Sequence, residues 1–248
     1  MFRELVPLSS RRHAALRVKP QTDFKFARGV HTAVLMHSEF IQAAASYPIV
    51  FVEDSDIDGF RPVALLGLQR GENVFVDADG EWLADYIPVV LRAYPFALAR
   101  ARAGEAPEGE RLAVCIDAAS ELVSLTEGSR LFDASGVPTE VLEQAKSLLR
   151  ATRDMQQATD LFSRALAERN LLIPLGVKAR RANQTLEVGG CYTINHDRLE
   201  GLPDAKLCEL RQPGWLAAIY SHLVSLQHFE RLEDGPAAAP PARALGER

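Results

Sequence analysis

Five side chains in this sequence are of the types that recognise or transform a ligand. Trp82, Tyr86, Arg92 and Tyr94 are gathered in one short stretch, and Asp117 lies further along. Aromatic rings with polar tips beside an arginine make a groove that suits an aromatic ligand or a peptide, although core packing accounts equally well for Trp82 and Tyr94. Asp117 closes the apolar run Leu112-Ala113-Val114-Cys115-Ile116. An acid at the end of a buried strand is where sheets often present functional groups to a cleft. There it could serve as general acid or base, with Arg92 holding an anion. The structural alternative is that Asp117 caps the segment Ala118 to Leu122.

Other chemistries lack their residues. A metal site needs His, Cys or carboxylate ligands at short spacing on one element, but His31 and His37 are six residues apart, as are His222 and His228, and point apart on a helix. Asp54, Asp56, Asp58 and Gly59 start like a calcium loop, but the remaining positions and the closing glutamate are wrong, so an acidic turn is expected. Cys115, Cys191 and Cys208 are an odd number at wide spacing, which suits a reducing compartment. Their apolar neighbours point to buried packing. No G-x-S-x-G elbow occurs, and Gly67, Gly71 and Gly80 fall in separate turns without a P-loop. The expectation is therefore no metal and no cofactor.

Composition narrows the partners. The 248 residues are 47% hydrophobic and 25% charged, which is ordinary for a globular protein, and the net charge is -5. A chain with that balance lacks the positive field that binds a phosphate backbone, so nucleic acid is not expected. Arg11-Arg12, Arg100 with Arg102, and Lys178 to Arg181 read as solvated faces. The first residues contain no apolar run of signal-peptide length, and even Trp215 to Leu226 is interrupted by Tyr220, Ser221, His222 and Ser225. A cytoplasmic protein without integral membrane contact is expected.

The elements that must position these side chains follow from pattern. A short helix is expected from His31 to Ala45. Strands are expected at Tyr47 to Val52, Pro62 to Leu68 and Asn73 to Asp77, joined by short turns that imply antiparallel neighbours. Asp79-Gly80 makes a tight turn, and a helix then runs through Tyr86-Ile87-Pro88 to about Leu98, with Pro88 in its first turn. Arg102 to Glu110 reads as a solvated loop and Leu112 to Ile116 as a buried strand. From Pro138 to Asn170, Val141, Ala145, Leu148, Thr152, Met155, Thr159, Phe162 and Leu166 alternate spacings of four and three, one stripe along a long helix packed within the same chain. A strand follows at Leu171 to Leu175, then a charged mobile segment through Asn183. Gln184 to Leu199 gives strand broken at Gly189-Gly190, and helices follow from Pro203 to Leu210 and from Trp215 to Leu232. The expected fold is α+β, a mixed, largely antiparallel sheet packed against several helices. It forms one domain over residues 1–232, with a disordered Pro- and Ala-rich tail at 233–248.

An ordered series of short motifs adds a likeness. Tyr47-Pro48-Ile49-Val50-Phe51, Ala64-Leu65-Leu66-Gly67-Leu68, Asn73-Val74-Phe75-Val76, Gly80-Glu81-Trp82, Tyr86-Ile87-Pro88 and Tyr94-Pro95-Phe96 resemble the SapC family of bacterial proteins. Cys115-Ile116-Asp117, Leu131-Phe132-Asp133, Gly136-Val137-Pro138-Thr139 and Tyr220-Ser221-His222-Leu223 extend it. The resemblance implies association with bacterial surface layers and carries no catalytic residues across. The leading expectation is an accessory protein that recognises a peptide, a protein or a small surface-related molecule through residues 47 to 96. An enzyme with a dispersed site around Asp117 and Arg92, and a surface-layer-associated protein, are the alternatives.

Overall fold

The computed structural model describes residues 1–100, 112–181 and 184–234, apart from the side chains of 177–188 and 234. In chain order the strands are β1 (Leu5–Pro7), β2 (Arg17–Val18), β3 (Thr32–Val34), β4 (Ile49–Asp54), β5 (Gly59–Leu65), β6 (Phe96–Arg100), β7 (Leu112–Asp117), β8 (Val123–Ser124), β9 (Ser129–Arg130), β10 (Leu172–Arg181) and β11 (Gln184–Ile194). The helices are α1 (Phe40–Ala43), α2 (Val89–Arg92), α3 (Glu140–Glu168), α4 (His196–Glu200), α5 (Asp204–Arg211), α6 (Trp215–Ser225) and α7 (Phe229–Asp234). The strands form three sheets, ordered β1-β7-β6, β10-β11-β4-β5-β3 and β8-β2-β9. Every described pairing is antiparallel, so the α+β class holds without the expected mixed character.

Two apolar clusters fill the interior. The larger lies on the five-stranded sheet and contains Phe40, Tyr47, Phe51, Phe75, Phe162 and Ile219; the smaller lies on β6 and β7 and contains Phe96, Ile116, Leu131 and Leu142. Helix α3 spans both. Leu142 and Leu149 near its start enter the smaller cluster, and Phe162 and Leu166 near its end enter the larger. Of the predicted stripe, Thr159, Phe162 and Leu166 are buried and Ala145 and Leu148 pack partly buried against the smaller cluster, whereas the buried residues near the start, Leu142 and Leu149, lie one position beyond it. Glu140 and Glu143 in its first turn match the positive end of the helix dipole.

Several local expectations give way to tertiary contacts. The helix expected from His31 to Ala45 is instead strand β3, a 3-10 turn at His37–Glu39 and the single turn α1, because Thr32 to Val34 pair with Val63 to Leu65 on the sheet edge. Asn73 to Asp77 is not a strand but a buried turn-rich segment. Its backbone is satisfied by Val74 N–H to the Leu66 carbonyl, Leu83 N–H to that of Phe75 and one isolated bridge between Val76 and Trp82. The helix expected to reach Leu98 stops at Arg92. A cis peptide joins Tyr94 to Pro95, and Phe96 to Arg100 become β6 against Leu112 to Ile116.

The charged segment after Leu175 is strand β10 as far as Arg181, paired with β11. At Gly189-Gly190 two residues face the single Gly176, a β-bulge of the kind the glycine pair suggested. Cys208 is exposed, contrary to its apolar neighbours, because it lies on α5, whose one buried residue is Leu210. The expected loop at Arg102 to Glu110 and the tail from residue 235 lie outside the described residues, whereas Glu233 and Asp234 complete α7 rather than begin a tail.

Candidate functional site

The five side chains separate into two networks. In the first, the Glu39 carboxylate, 4% exposed, is held by three donors: the Met36 N–H (2.8 Å), the Val89 N–H (2.8 Å) and the Tyr86 hydroxyl (2.5 Å). Tyr86 gives its carbonyl to the Trp82 indole N–H (3.1 Å) and to the Tyr47 hydroxyl, and Trp82 also donates to Tyr47 (2.9 Å). Arg92 lies over the Tyr86 ring at 5.7 Å and donates to its hydroxyl (3.4 Å). Burial raises the Tyr47 hydroxyl pKa far above its ordinary value; burial and Glu39 do the same for Tyr86. Neither phenol gives up its proton near neutrality, so this network is a set of satisfied hydrogen bonds within the core.

The second network joins Asp117 to Tyr94. Asp117 is fully buried. One carboxylate oxygen accepts from the N–H groups of Glu4 (2.8 Å) and Ala119 (3.3 Å), and the other from the Arg3 N–H (3.1 Å) and the Tyr94 hydroxyl (3.1 Å). Burial pushes the Asp117 pKa upward, but the Glu4, Arg3, Tyr94 and Ala119 donors together outweigh it and hold the group below the ordinary carboxylate value. Asp117 therefore ties the start of the chain to the end of β7 and also accepts within the turn at Ala118-Ala119, close to the capping role. Burial raises the Tyr94 hydroxyl pKa, Ser120 opposing and Asp117 adding to the rise. Arg92 and Asp117 are not brought together by these contacts.

An aromatic chain connects the two networks. Trp82 meets Phe24 edge-on (5.3 Å between centroids), Phe24 lies 6.0 Å from Phe26, and Phe26 stacks on Tyr94 at 4.0 Å with the rings 12° apart. The segment carrying Phe24 and Phe26 is held by local geometry. Asp77 receives the N–H groups of Asp79, Gly80 and Glu81 on one oxygen, and the Phe24 N–H bonds the Gly80 carbonyl. Gly80 has φ of 93°, and a Cβ there would sit 2.7 Å from Lys25 and 2.9 Å from Asp23, so only glycine fits this turn.

Two cavities open on either side of Tyr94. The larger, about 690 Å³, is lined by Arg3, Lys19, Lys25 and Arg28 together with Asp23, Glu121 and Glu127, with Phe26 and Tyr94 as its aromatic surface. The smaller, about 400 Å³, lies between Arg92 to Phe96 and the first turns of α3. The two share Lys19, Pro20, Tyr94 and Leu122. A strap frames them: β2 pairs with both β8 and β9, and the Lys19 N–H bonds the Leu122 carbonyl. Gly128 permits the crossing, since a Cβ there would lie 2.3 Å from the Val18 carbonyl oxygen.

Of the residues expected to bind, Tyr94 lines both cavities and Arg92 the smaller, whereas Trp82 and Tyr86 support the aromatic chain from behind. Sequence reading missed Lys19, Phe26, Arg28 and the 120–128 turn. The alternation Phe24-Lys25-Phe26 was a usable signal in a segment otherwise without period. Among the described residues no group of three His, Cys, Asp or Glu is placed to hold a metal ion, and no helix is long and apolar enough to cross a membrane.

The family model named SapC matches residues 8–232, which takes in the Glu39 network, Tyr94 and Asp117, the strap, helices α1 to α6 and most of α7. The chain belongs to the SapC family. No curated protein and no solved structure gives a match. Within this SapC chain the matched region thus contains the smaller cavity and all of the larger one's lining except Arg3, which with Glu4 anchors Asp117 from ahead of it.

Proposed function

We propose that this SapC chain is an accessory recognition protein of the cytoplasm, and that it takes a small molecule or a peptide side chain into the paired cavities around Tyr94. The observation that carries this reading is the shared wall. A polar chamber with four cations and an apolar chamber meet at Lys19, Pro20, Tyr94 and Leu122, giving one concave site with a few polar groups converging on apolar surface. The recognition surface expected over residues 47 to 96 is thereby narrowed to Arg92 and Tyr94 and joined by the strap at Lys19 to Arg28. The enzymatic alternative has less support, because a carboxylate with four donors and a lowered pKa is a poor proton acceptor near neutrality.

The test is native mass spectrometry of the full chain gently purified from its host, compared with the double variant Lys19→Ala, Leu122→Trp. A co-purifying mass on the wild type that falls at least tenfold in the variant, with unchanged melting temperature, is the expected result. An equally loaded variant would place recognition elsewhere. Recovery of the chain in the envelope fraction, rather than the soluble one, would favour the surface-layer alternative.

A further inference from the structure

The smaller cavity differs from the larger in charge and in wall chemistry. Among the described residues its lining holds two cations, Lys19 and Arg92, and no carboxylate, whereas the larger balances four cations with Asp23, Glu121 and Glu127. Its remaining walls are mainly apolar, with Phe96, Leu122, Val141, Ala145 and Leu148 facing it.

We infer that this cavity binds an anionic amphiphile, an aliphatic carboxylate whose chain lies against Phe96 and Leu148 and whose carboxylate meets Arg92 and Lys19. This rests on the recognition reading above and names the ligand class for it. Arg92 is exposed, and its guanidinium is steadied over the Tyr86 ring with one donor engaged by the Tyr86 hydroxyl. A guanidinium has about five N–H donors, so others remain to meet a carboxylate. Among the described residues Arg92 forms no ion pair. Lys19 pairs at 3.5 Å with Glu127, whose side chain is 71% exposed, a solvated contact that an incoming carboxylate can share.

The size of the cavity suits a medium-length chain. With about 30 Å³ for a group the size of water or methylene, 400 Å³ holds about a dozen such groups, the scale of a medium-length chain. A neutral chain would leave Arg92 without a counter-charge, and a cationic one would be repelled.

The experiment is isothermal titration of the full chain with hexanoate, octanoate, decanoate, decanol, decyltrimethylammonium and a short peptide ending in leucine with a free carboxylate, all below micelle formation. Affinity should rise about fourfold per added methylene up to decanoate. Arg92→Ala should weaken decanoate about tenfold and leave decanol unchanged. Ala145→Trp should abolish binding, and Gln144→Trp, at an exposed lining position, gives the same readout if the first variant misfolds. Equal binding of decanoate and decyltrimethylammonium, indifference of decanoate to Arg92→Ala, or tighter binding of the peptide would overturn the inference. If no fatty carboxylate binds while the host-derived mass is still lost with Lys19→Ala, Leu122→Trp, this ligand class is wrong and the recognition reading survives. If neither is seen, both fail.

Discussion

Two aromatic regions of this SapC chain contain nearly the same residue types and behave in opposite ways. Around Glu39, the rings of Tyr47, Trp82 and Tyr86 spend their polar groups on one another and on the carboxylate, and only Arg92 at the edge reaches a cavity. Around Tyr94, the ring stacks on Phe26, its hydroxyl meets the Asp117 carboxylate, and the residue lines two cavities. The difference lies in what satisfies the polar groups. Glu39 is completed by the chain at Met36 and Val89 together with the inward-turned Tyr86 hydroxyl, so the whole cluster closes on itself. Asp117 draws two of its donors from Arg3 and Glu4, just ahead of β1, and another from the Tyr94 hydroxyl, while Tyr94 also lines both cavities. Residue type alone does not make a binding site; what matters is whether packing has already consumed its faces and donors.

The contrast is easiest to break at Glu39. Glu39→Ala strands two buried N–H groups and one hydroxyl, and should cost about 3 to 5 kcal/mol in urea-induced unfolding. A loss below about 1 kcal/mol would mean that the closed region is not the satisfied core described here.

The closed side also carries an acid-sensitive group. His222 is fully buried, its Nε2 accepts from the Ile194 N–H (3.1 Å) and lies 3.0 Å from the Thr193 hydroxyl, and burial lowers its pKa from 6.5 to about 4 against an opposing contribution from the Ile49 backbone. Above the unfolded value both states are neutral and stability is unaffected. Between 6.5 and about 4 the unfolded chain binds a proton that the folded chain refuses, so stability should fall by about 3 kcal/mol as pH drops through that window. Urea midpoints measured against pH check this, and His222→Leu should flatten the curve.

Asp117→Asn should cost about 2 kcal/mol, and it should speed amide exchange at Arg3 and Glu4, because a neutral amide accepts less well from four donors. The wild-type contribution of Asp117 is present above the unfolded pKa of about 4 and is lost as pH falls through its lower folded value. Unaltered exchange at Glu4 would remove its anchoring role. The smallest stability effect belongs to the open side: Lys19→Ala breaks one exposed pair and should change stability by less than about 1 kcal/mol while it still weakens ligand retention. A large stability loss there would erase the distinction between the two regions.

Much of the scaffold was legible. Strands β4, β5 and β7, the bulge at Gly189-Gly190, helix α3 and the final helical region follow from alternation, glycine and a long periodic stripe. The site was legible only in part. Tyr94 and Arg92 stood out by type, but the partner wall at Lys19 to Arg28 lies in a segment with only the short 3-10 turn Lys25–Ala27 and no period to read, and it reaches Tyr94 through contacts nearly seventy residues distant in sequence. The stretch from Trp82 to Leu98 misled because Pro88 opens a helix that its neighbours could have continued, whereas pairing with β7 draws Phe96 onward into a strand.

By itself the sequence determined the SapC membership, the α+β class and the course of α3, since these depend on local order and on periodicities of two and 3.6 residues. Tertiary structure decided which aromatic residues close into core and which frame a cavity. That choice depends on which backbone donors arrive from distant segments to occupy Glu39 and Asp117, and no spacing along the chain encodes their arrival.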